Sequence, residues 1–134
     1  MTILSRYLIT LLLCGLAMAS QADVAVIVHP DSTVSITPAQ VNHIYLGLDR
    51  SLTPIDLRQW SETRAYFYQT LAGKNESQLK TYWATLIFTG KGRPPRGVSD
   101  QAAMLDMIAA DPRAIGYVDT ELVDDRVRVL FVLQ

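Results

Sequence analysis

Residues 53–67, TPIDLRQWSETRAYF, decide how the rest of the chain is interpreted. Ile55 and Leu57 alternate with polar residues as in a strand, and a polar cluster then leads into an aromatic-rich helical pattern. This order predicts a strand-to-helix turn. Such a turn leaves free backbone N–H groups at the positive end of the helix, so it is a natural position for an anion.

The first 22 residues have the pattern of an export signal. Arg6 supplies the basic start, residues 7–16 form the apolar centre, and small residues follow up to Ala22. We therefore expect a cleaved signal peptide at residues 1–22 and a single α/β domain at residues 23–134, exported to the periplasm. Cleavage removes Cys14, the only cysteine, so the mature chain has no disulfide and no thiolate chemistry.

The charge balance limits the classes of partner. The 134 residues carry 12 basic and 13 acidic side chains, interspersed along the chain. A near-neutral, mixed surface argues against nucleic acid or an anionic membrane as a partner. No stretch after the signal is apolar for long enough to span a bilayer, so we expect no membrane insertion after signal cleavage.

Strands and helices alternate along the rest of the chain. Helix starts are predicted at Thr37, Ser61, Asn75 and Ser99. Glycine or an Asp-Pro pair ends the last three helices, and Gly47 near the end of the first suits either close packing or a helix exit. Leu48 is expected on the buried face of the first helix, and residues 91–97 are expected to be loop. Strands are predicted at residues 23–29, 54–58, 114–118 and 126–133. This alternation predicts an α/β layer with a largely parallel sheet.

Four segments resemble one known family. The segments are ITPAQVNHIYLG (36–47), RQWSETRAYF (58–67), YWATLIFTGKGRPP (82–95) and DPRAIGYVD (111–119). They resemble, in order, motifs of periplasmic phosphate-type solute-binding proteins, including a segment typical of the short members. The resemblance implies a single lobe of a periplasmic-binding-protein-like fold, with a mostly parallel sheet flanked by helices. It also implies a solute-binding function, with phosphate or another small oxyanion carried for an ABC transporter.

The same resemblance assigns site residues and a partner. Arg58, Ser61, Thr63 and Arg64 match the anion-binding loop of the family, whereas Glu62 replaces its glycine. Glu62 could pair with one of the two arginines and fill the anion site from within. Alternatively, Ser61 is an ordinary helix cap and the charged residues are solvated. Full-length members close two lobes on the anion, so a periplasmic partner protein or a homodimer would have to supply the facing wall.

Other candidate sites carry less information. Lys91, Arg93 and Arg96 form a basic cluster that fits a solvated loop, a second anion contact or a docking surface. His29 and His43 lack metal-ligand spacing, and no catalytic motif or cofactor fingerprint is present, so we expect no metal, no cofactor and no enzyme. The alternative function is a ligand-free interaction module acting on a periplasmic sensor, transporter or envelope complex.

Overall fold

The computed structural model of the protein describes residues 23–134. The predicted signal peptide and Cys14 lie outside these described residues. In chain order the elements are β1 (Val24–Val28), α1 (Pro38–Tyr45), β2 (Thr53–Leu57), α2 (Glu62–Ala72), α3 (Glu76–Phe88), β3 (Arg96–Val98), α4 (Gln101–Ala110), β4 (Ala114–Asp119), a single 3₁₀ turn (Thr120–Leu122) and β5 (Arg128–Leu133). Within this part of the chain, no helix is long and apolar enough to cross a membrane.

The five strands form one sheet in the order β3-β2-β4-β1-β5. β2 pairs in parallel with β3 and with β4, whereas β1 is antiparallel to both β4 and β5. Four of the five strands therefore run in one direction, and β1 alone opposes them, which confirms the predicted mostly parallel sheet. All five residues of β1 are fully buried. Their unbroken apolar run is thus explained by a central strand covered on both faces.

Helices cover the two faces of this sheet. Side chains alternate between the faces along β4. Gly116 faces α4, because a Cβ placed on it would lie 2.6 Å from Sδ of Met104. Tyr117 faces the opposite way, and its ring stacks on Phe67 of α2 at a centroid distance of 3.9 Å. A predominantly apolar core thus lies on each side of the sheet.

The helix starts follow the sequence signals closely. Thr37 with Gln40 and Asn75 with Gln78 form reciprocal capping boxes at α1 and α3, as predicted. Ser61 caps α2 by accepting the N–H of Arg64 at 3.2 Å. These bonds satisfy helix N–H groups locally, so no long-range contact is required to place the three starts.

Three local predictions are wrong. Leu48 is 68% exposed, because α1 ends at Tyr45 and Gly47 turns the chain with a φ of +79°. The cap of α4 is Asp100 rather than Ser99, since its carboxylate accepts the N–H of Ala103. The segment 91–97 is not loop throughout, because β3 begins at Arg96, where pairing with β2 imposes the strand conformation.

Candidate functional site

A cleft of about 400 Å³ lies at the carboxyl ends of β2 and β3. One wall comes from the turn between β2 and α2, and the other from the turn between β3 and α4. Leu57, Gln59, Ser61, Ser99, Asp100, Gln101 and Ala102 line it. Loops beyond the carboxyl ends of parallel strands are where open α/β sheets bind ligands. The cleft is therefore the candidate site.

Two helices begin at this cleft. The first residues of α2 are Glu62 and Thr63, and those of α4 are Gln101 and Ala102. Within residues 23–134, the backbone N–H groups of these four residues donate to no other group. Each helix start carries the positive end of a helix dipole, and two starts at one cleft add their fields. The backbone here favours an anion.

A carboxylate at the end of β4 fixes the two helix starts relative to one another. Oδ1 of Asp119 accepts the hydroxyl of Thr63 at 2.8 Å, and its Oδ2 accepts Nε2 of Gln101 at 2.9 Å. The backbone N–H of Asp119 donates back to Oε1 of Gln101 at 2.7 Å. The first turns of α2 and α4 are therefore both tied to one strand end, which holds the cleft walls in place.

A second carboxylate, Asp56 on β2, is buried beneath the turn. Its Oδ1 accepts the hydroxyl of Tyr117 and the N–H of Leu57, and its Oδ2 accepts the hydroxyl of Tyr68 at 2.6 Å. Nη2 of Arg64 lies 3.3 Å from the same Oδ2. A charge buried this deeply is expensive unless it is paired and hydrogen-bonded, and four donors meet that requirement.

Burial also changes the acidity of the surrounding tyrosines. Burial first, and the neighbouring Asp56 carboxylate second, raise the pKa of Tyr45, Tyr68 and Tyr117 well above the usual 10.0. Both effects disfavour the phenolate, since its negative charge would be poorly solvated and would lie close to another one. These hydroxyls therefore remain hydrogen-bond donors at physiological pH.

The structure brings only part of the predicted ligand set to the cleft. Ser61 lines it, whereas Thr63 is buried and its hydroxyl is committed to Asp119. The guanidinium of Arg64 turns inward to Asp56 and to the carbonyl of Arg58. Its Cζ also lies 5.2 Å from the ring centroid of Trp60, a cation–π distance.

Arg58 and Glu62 remain at the surface. Arg58 follows the last residue of β2 and is exposed, and its Nε donates to the carbonyl of Gly97 at 3.2 Å. Glu62 is also exposed and forms no ion pair with any described residue. Its place in the first turn of α2 is favourable to the helix dipole without any ligand. The carboxylate that pairs with Arg64 is Asp56 instead.

The polar residues of this region that sequence reasoning missed include Asp56, Gln101 and Asp119. A signal was available for two of them. Asp56 interrupts an apolar strand pattern, and a charged residue in a buried strand needs partners. Asp119 is the last residue of a parallel strand, at the edge where ligand sites form. Gln101 offered no such signal, because its role depends on the pairing of β3 with β2.

The sheet order, the helices on both faces and the cleft at the carboxyl ends of the parallel strands define the class. The described residues have the fold of one lobe of a periplasmic-binding-protein-like protein, and the predicted fold class is confirmed. No family model matches the chain, and no curated protein matches it.

Three solved structures illustrate the shared fold. An ABC-type phosphate transport receptor from Vibrio cholerae has a TM-score of 0.62 at 18% identity, over 81% of this chain and 45% of that one. A structure described as a phosphate ABC transporter substrate-binding protein with bound phosphate, from Clostridium perfringens, has a TM-score of 0.59 at 21% identity, over 81% and 44%. A possible phosphate binding protein from Planctomyces limnophilus gives 0.51 at 16% identity, over 73% and 36%.

These likenesses confirm the resemblance to phosphate-binding proteins at the level of the fold. The matched region spans less than half the length of the first two proteins. The described residues thus correspond to only part of each of these two proteins.

Proposed function

We propose that the protein is an exported, periplasmic solute-binding-like protein that binds phosphate or another small oxyanion at the cleft between α2 and α4, in the service of an ABC transporter. The observation that carries this proposal is the meeting of two helix N-termini at one cleft. Gln101 and Ala102 line the cleft, and their N–H groups, like those of Glu62 and Thr63 at the start of α2, donate to no other described residue. The fold shared with phosphate receptors supports the same ligand class.

In this proposal the side chains have unequal roles. Ser61 and Arg58 contact the anion, because Ser61 lines the cleft and Arg58 is an exposed cation between two residues, Leu57 and Gln59, that line it. Thr63 contributes its backbone N–H, and Arg64 positions the turn from below through Asp56. A hydrogen bond to a charged group contributes about 1.5–3 kcal/mol, so Arg58 is the residue with the largest individual effect.

One acidic group at the cleft opposes binding. The Asp100 carboxylate caps α4 and lines the cleft, so it places a negative charge beside the anion. With water on the open side, we expect the isolated lobe to bind phosphate with a Kd on the order of 1 mM. A facing wall from a periplasmic partner or a second copy would exclude this water and strengthen every polar contact.

A second candidate function is the ligand-free interaction module. It is favoured by the commitment of two predicted ligands to internal carboxylates, Thr63 to Asp119 and Arg64 to Asp56. The hypothesis that Glu62 supplies the internal anion is less favoured, since its side chain is exposed. For this second candidate, the cleft has the shape that is typical of the fold but binds no solute.

Calorimetric titration with phosphate tests the two candidates. Asp100→Asn keeps a good helix cap but removes the charge, so we expect phosphate to bind about threefold to tenfold more tightly. Arg58→Gln should weaken binding by about tenfold or more. Asp125→Asn and Arg50→Gln are the matched controls, because both residues are exposed and lie outside the cleft.

A thermal-shift measurement completes the test. At a tenfold excess over Kd, a ligand adds about 1.4 kcal/mol to the free energy of unfolding. Chloride at equal ionic strength separates specific binding from a general salt effect. If neither the wild type nor Asp100→Asn responds to phosphate or sulfate at about 20 mM, roughly twentyfold above the expected Kd, the ligand-free candidate replaces the first.

A further inference from the structure

An exposed apolar and basic surface lies at the end of α3. Phe88, the last residue of α3, is 92% exposed, Ile87 before it is 54% exposed, and Leu48 is 68% exposed. Lys91 and Arg93 follow in the next loop and are also exposed. We call these five residues, together with Arg96, the α3 tip.

The indole ring of Trp83 brings the two chain segments of the α3 tip together. A Cβ on Gly47, the neighbour of Leu48, would lie 3.3 Å from Cη2 of Trp83. A Cβ on Gly92, between Lys91 and Arg93, would lie 3.6 Å from Cζ3 of the same ring. Both backbones thus pack on the Trp83 ring, which lies one helical turn before Ile87.

The α3 tip concentrates positive charge in an otherwise balanced chain. Between residues 81 and 99 the sequence contains three basic residues and no acidic one. None of Lys91, Arg93 and Arg96 forms an ion pair with any residue between 23 and 134. The near-zero net charge of the whole chain hides this local excess of positive charge. For that reason the overall composition argued against an anionic membrane as a partner.

We propose that the α3 tip docks on an anionic lipid bilayer. Phe88 and Ile87 enter the boundary between headgroups and acyl chains, and the three basic side chains lie against lipid phosphates. Stable binding at a membrane surface requires both apolar side chains that insert and cationic side chains that attract anionic lipids, because neither contribution is sufficient alone. The α3 tip has both kinds of side chain next to one another.

The shape of the α3 tip favours a bilayer over a protein surface. The two apolar side chains sit at the end of a helix and are followed directly by a loop, so they project rather than line a groove. A projecting tip needs a pocket in a protein partner, whereas a bilayer deforms around it. A second copy fits less well, because this basic surface would have to meet a different, acidic surface, and such a contact does not close into a dimer.

Docking at the α3 tip leaves the cleft accessible. The segments that form the α3 tip lead into the amino ends of β2 and β3, whereas the cleft lies at their carboxyl ends. The five residues of β2 span about 17 Å between these two edges. Arg96 lies nearer the cleft than the rest of the α3 tip, because it pairs with Ile55 in the middle of β2. The apolar side chains of the α3 tip therefore lie away from the cleft, and the lipid assay and the phosphate titration test the two proposals separately.

Vesicle sedimentation tests the proposal with the full chain purified from an exporting host. The vesicles contain equal parts phosphatidylglycerol and phosphatidylcholine, and pure phosphatidylcholine vesicles serve as the uncharged reference. Lys91→Gln/Arg93→Gln/Arg96→Gln should lower partitioning on the order of 100-fold, because each basic residue near the surface contributes about fivefold. Phe88→Ser should lower it about tenfold.

Matched controls isolate the α3 tip from the rest of the chain. Leu122→Ser removes an exposed apolar residue elsewhere, and Lys80→Gln removes a cation from the same helix that is paired with Glu76. Both should partition within about twofold of the wild type. Every variant carries the same N-terminus, verified by mass, so any lipid affinity of residues 1–22 cancels in the ratios.

Two outcomes overturn the proposal. In the first, the α3-tip variants and the controls bind phosphatidylglycerol vesicles equally. In the second, the wild type self-associates in sedimentation equilibrium and Phe88→Ser abolishes this, which would make a second copy the occupant. A blue shift of tryptophan fluorescence in Phe88→Trp on adding anionic vesicles, weakened by high salt, is the direct supporting result.

Discussion

Replacing Asp56 with alanine is expected to destabilise the protein more than a change at any exposed carboxylate. Asp56 is 3% exposed, and its two oxygens accept hydrogen bonds from the backbone N–H of Leu57, the guanidinium of Arg64 and two tyrosine hydroxyls. The tyrosines, Tyr68 and Tyr117, are themselves buried. Alanine removes all four acceptor contacts at once.

The magnitude follows from the groups left behind. Each buried hydroxyl without an acceptor costs about 1–3 kcal/mol. Removing one partner of a buried ion pair costs about 3–5 kcal/mol, but the side chain of Arg64 is 20% exposed and keeps the carbonyl of Arg58, so its share is smaller. We expect a total of about 4 kcal/mol. This is a large part of the 5–15 kcal/mol typical of a folded domain.

Urea unfolding followed by circular dichroism measures this loss. Asp56→Ala should shift the midpoint without changing the slope, and Asp56→Asn, which keeps one acceptor oxygen, should cost about half as much. Asp125→Asn on the surface is the matched control and should change stability by less than about 0.5 kcal/mol. A loss below about 1 kcal/mol in Asp56→Ala would refute the idea that this carboxylate organises the core beneath the turn.

Two further predictions concern the same core. Three buried tyrosines, Tyr45, Tyr68 and Tyr117, have a pKa raised well above the usual value. Their contribution to the free energy of unfolding should be constant below about pH 10 and fall above it, by up to about 1.4 kcal/mol per pH unit for each, because the unfolded chain loses these protons first. Absorbance at alkaline pH should show them ionising only as the protein unfolds, and ionisation near pH 10 in a native protein would contradict this. Gly116→Ala should cost about 1–3 kcal/mol, since its Cβ would lie 2.6 Å from Met104. Gly92→Ala is the control; its nearest contact would be 3.6 Å, so an equal loss in both variants would refute the steric explanation.

The sequence predicted elements whose causes are local. The capping boxes that begin at Thr37 and Asn75 form between residues three positions apart, so their pattern is visible without the fold. The apolar run of β1 predicted a central strand for the same reason. By contrast, β3 has only three residues and exists because Arg96 and its two successors pair with β2. No local pattern predicts a strand of that kind.

The candidate site was predictable in position but not in orientation. The strand-to-helix turn at residues 58–64 indicated where free N–H groups would lie. The directions of Thr63 and Arg64 depend on partners elsewhere, since Asp119 lies 56 residues beyond Thr63 and the ion-pair partner of Arg64 belongs to the preceding strand. A hydroxyl and a guanidinium suit an external anion or an internal carboxylate equally well. The residue types alone therefore do not show whether Thr63 and Arg64 bind an external anion or an internal carboxylate.

The two internal carboxylates explain why we expect the proposed anion site to be rigid and yet to bind only weakly. Asp119 fixes both helix starts, so the backbone donors of the cleft are arranged before any ligand arrives. Arg64 donates to Asp56 and Thr63 donates to Asp119. These two side-chain donors are therefore not available to a ligand. What remains is a preorganised backbone cradle with one exposed arginine, Arg58, and an opposing carboxylate, Asp100. High affinity at such a cradle would then depend on a surface outside residues 23–134 that covers the anion and excludes water.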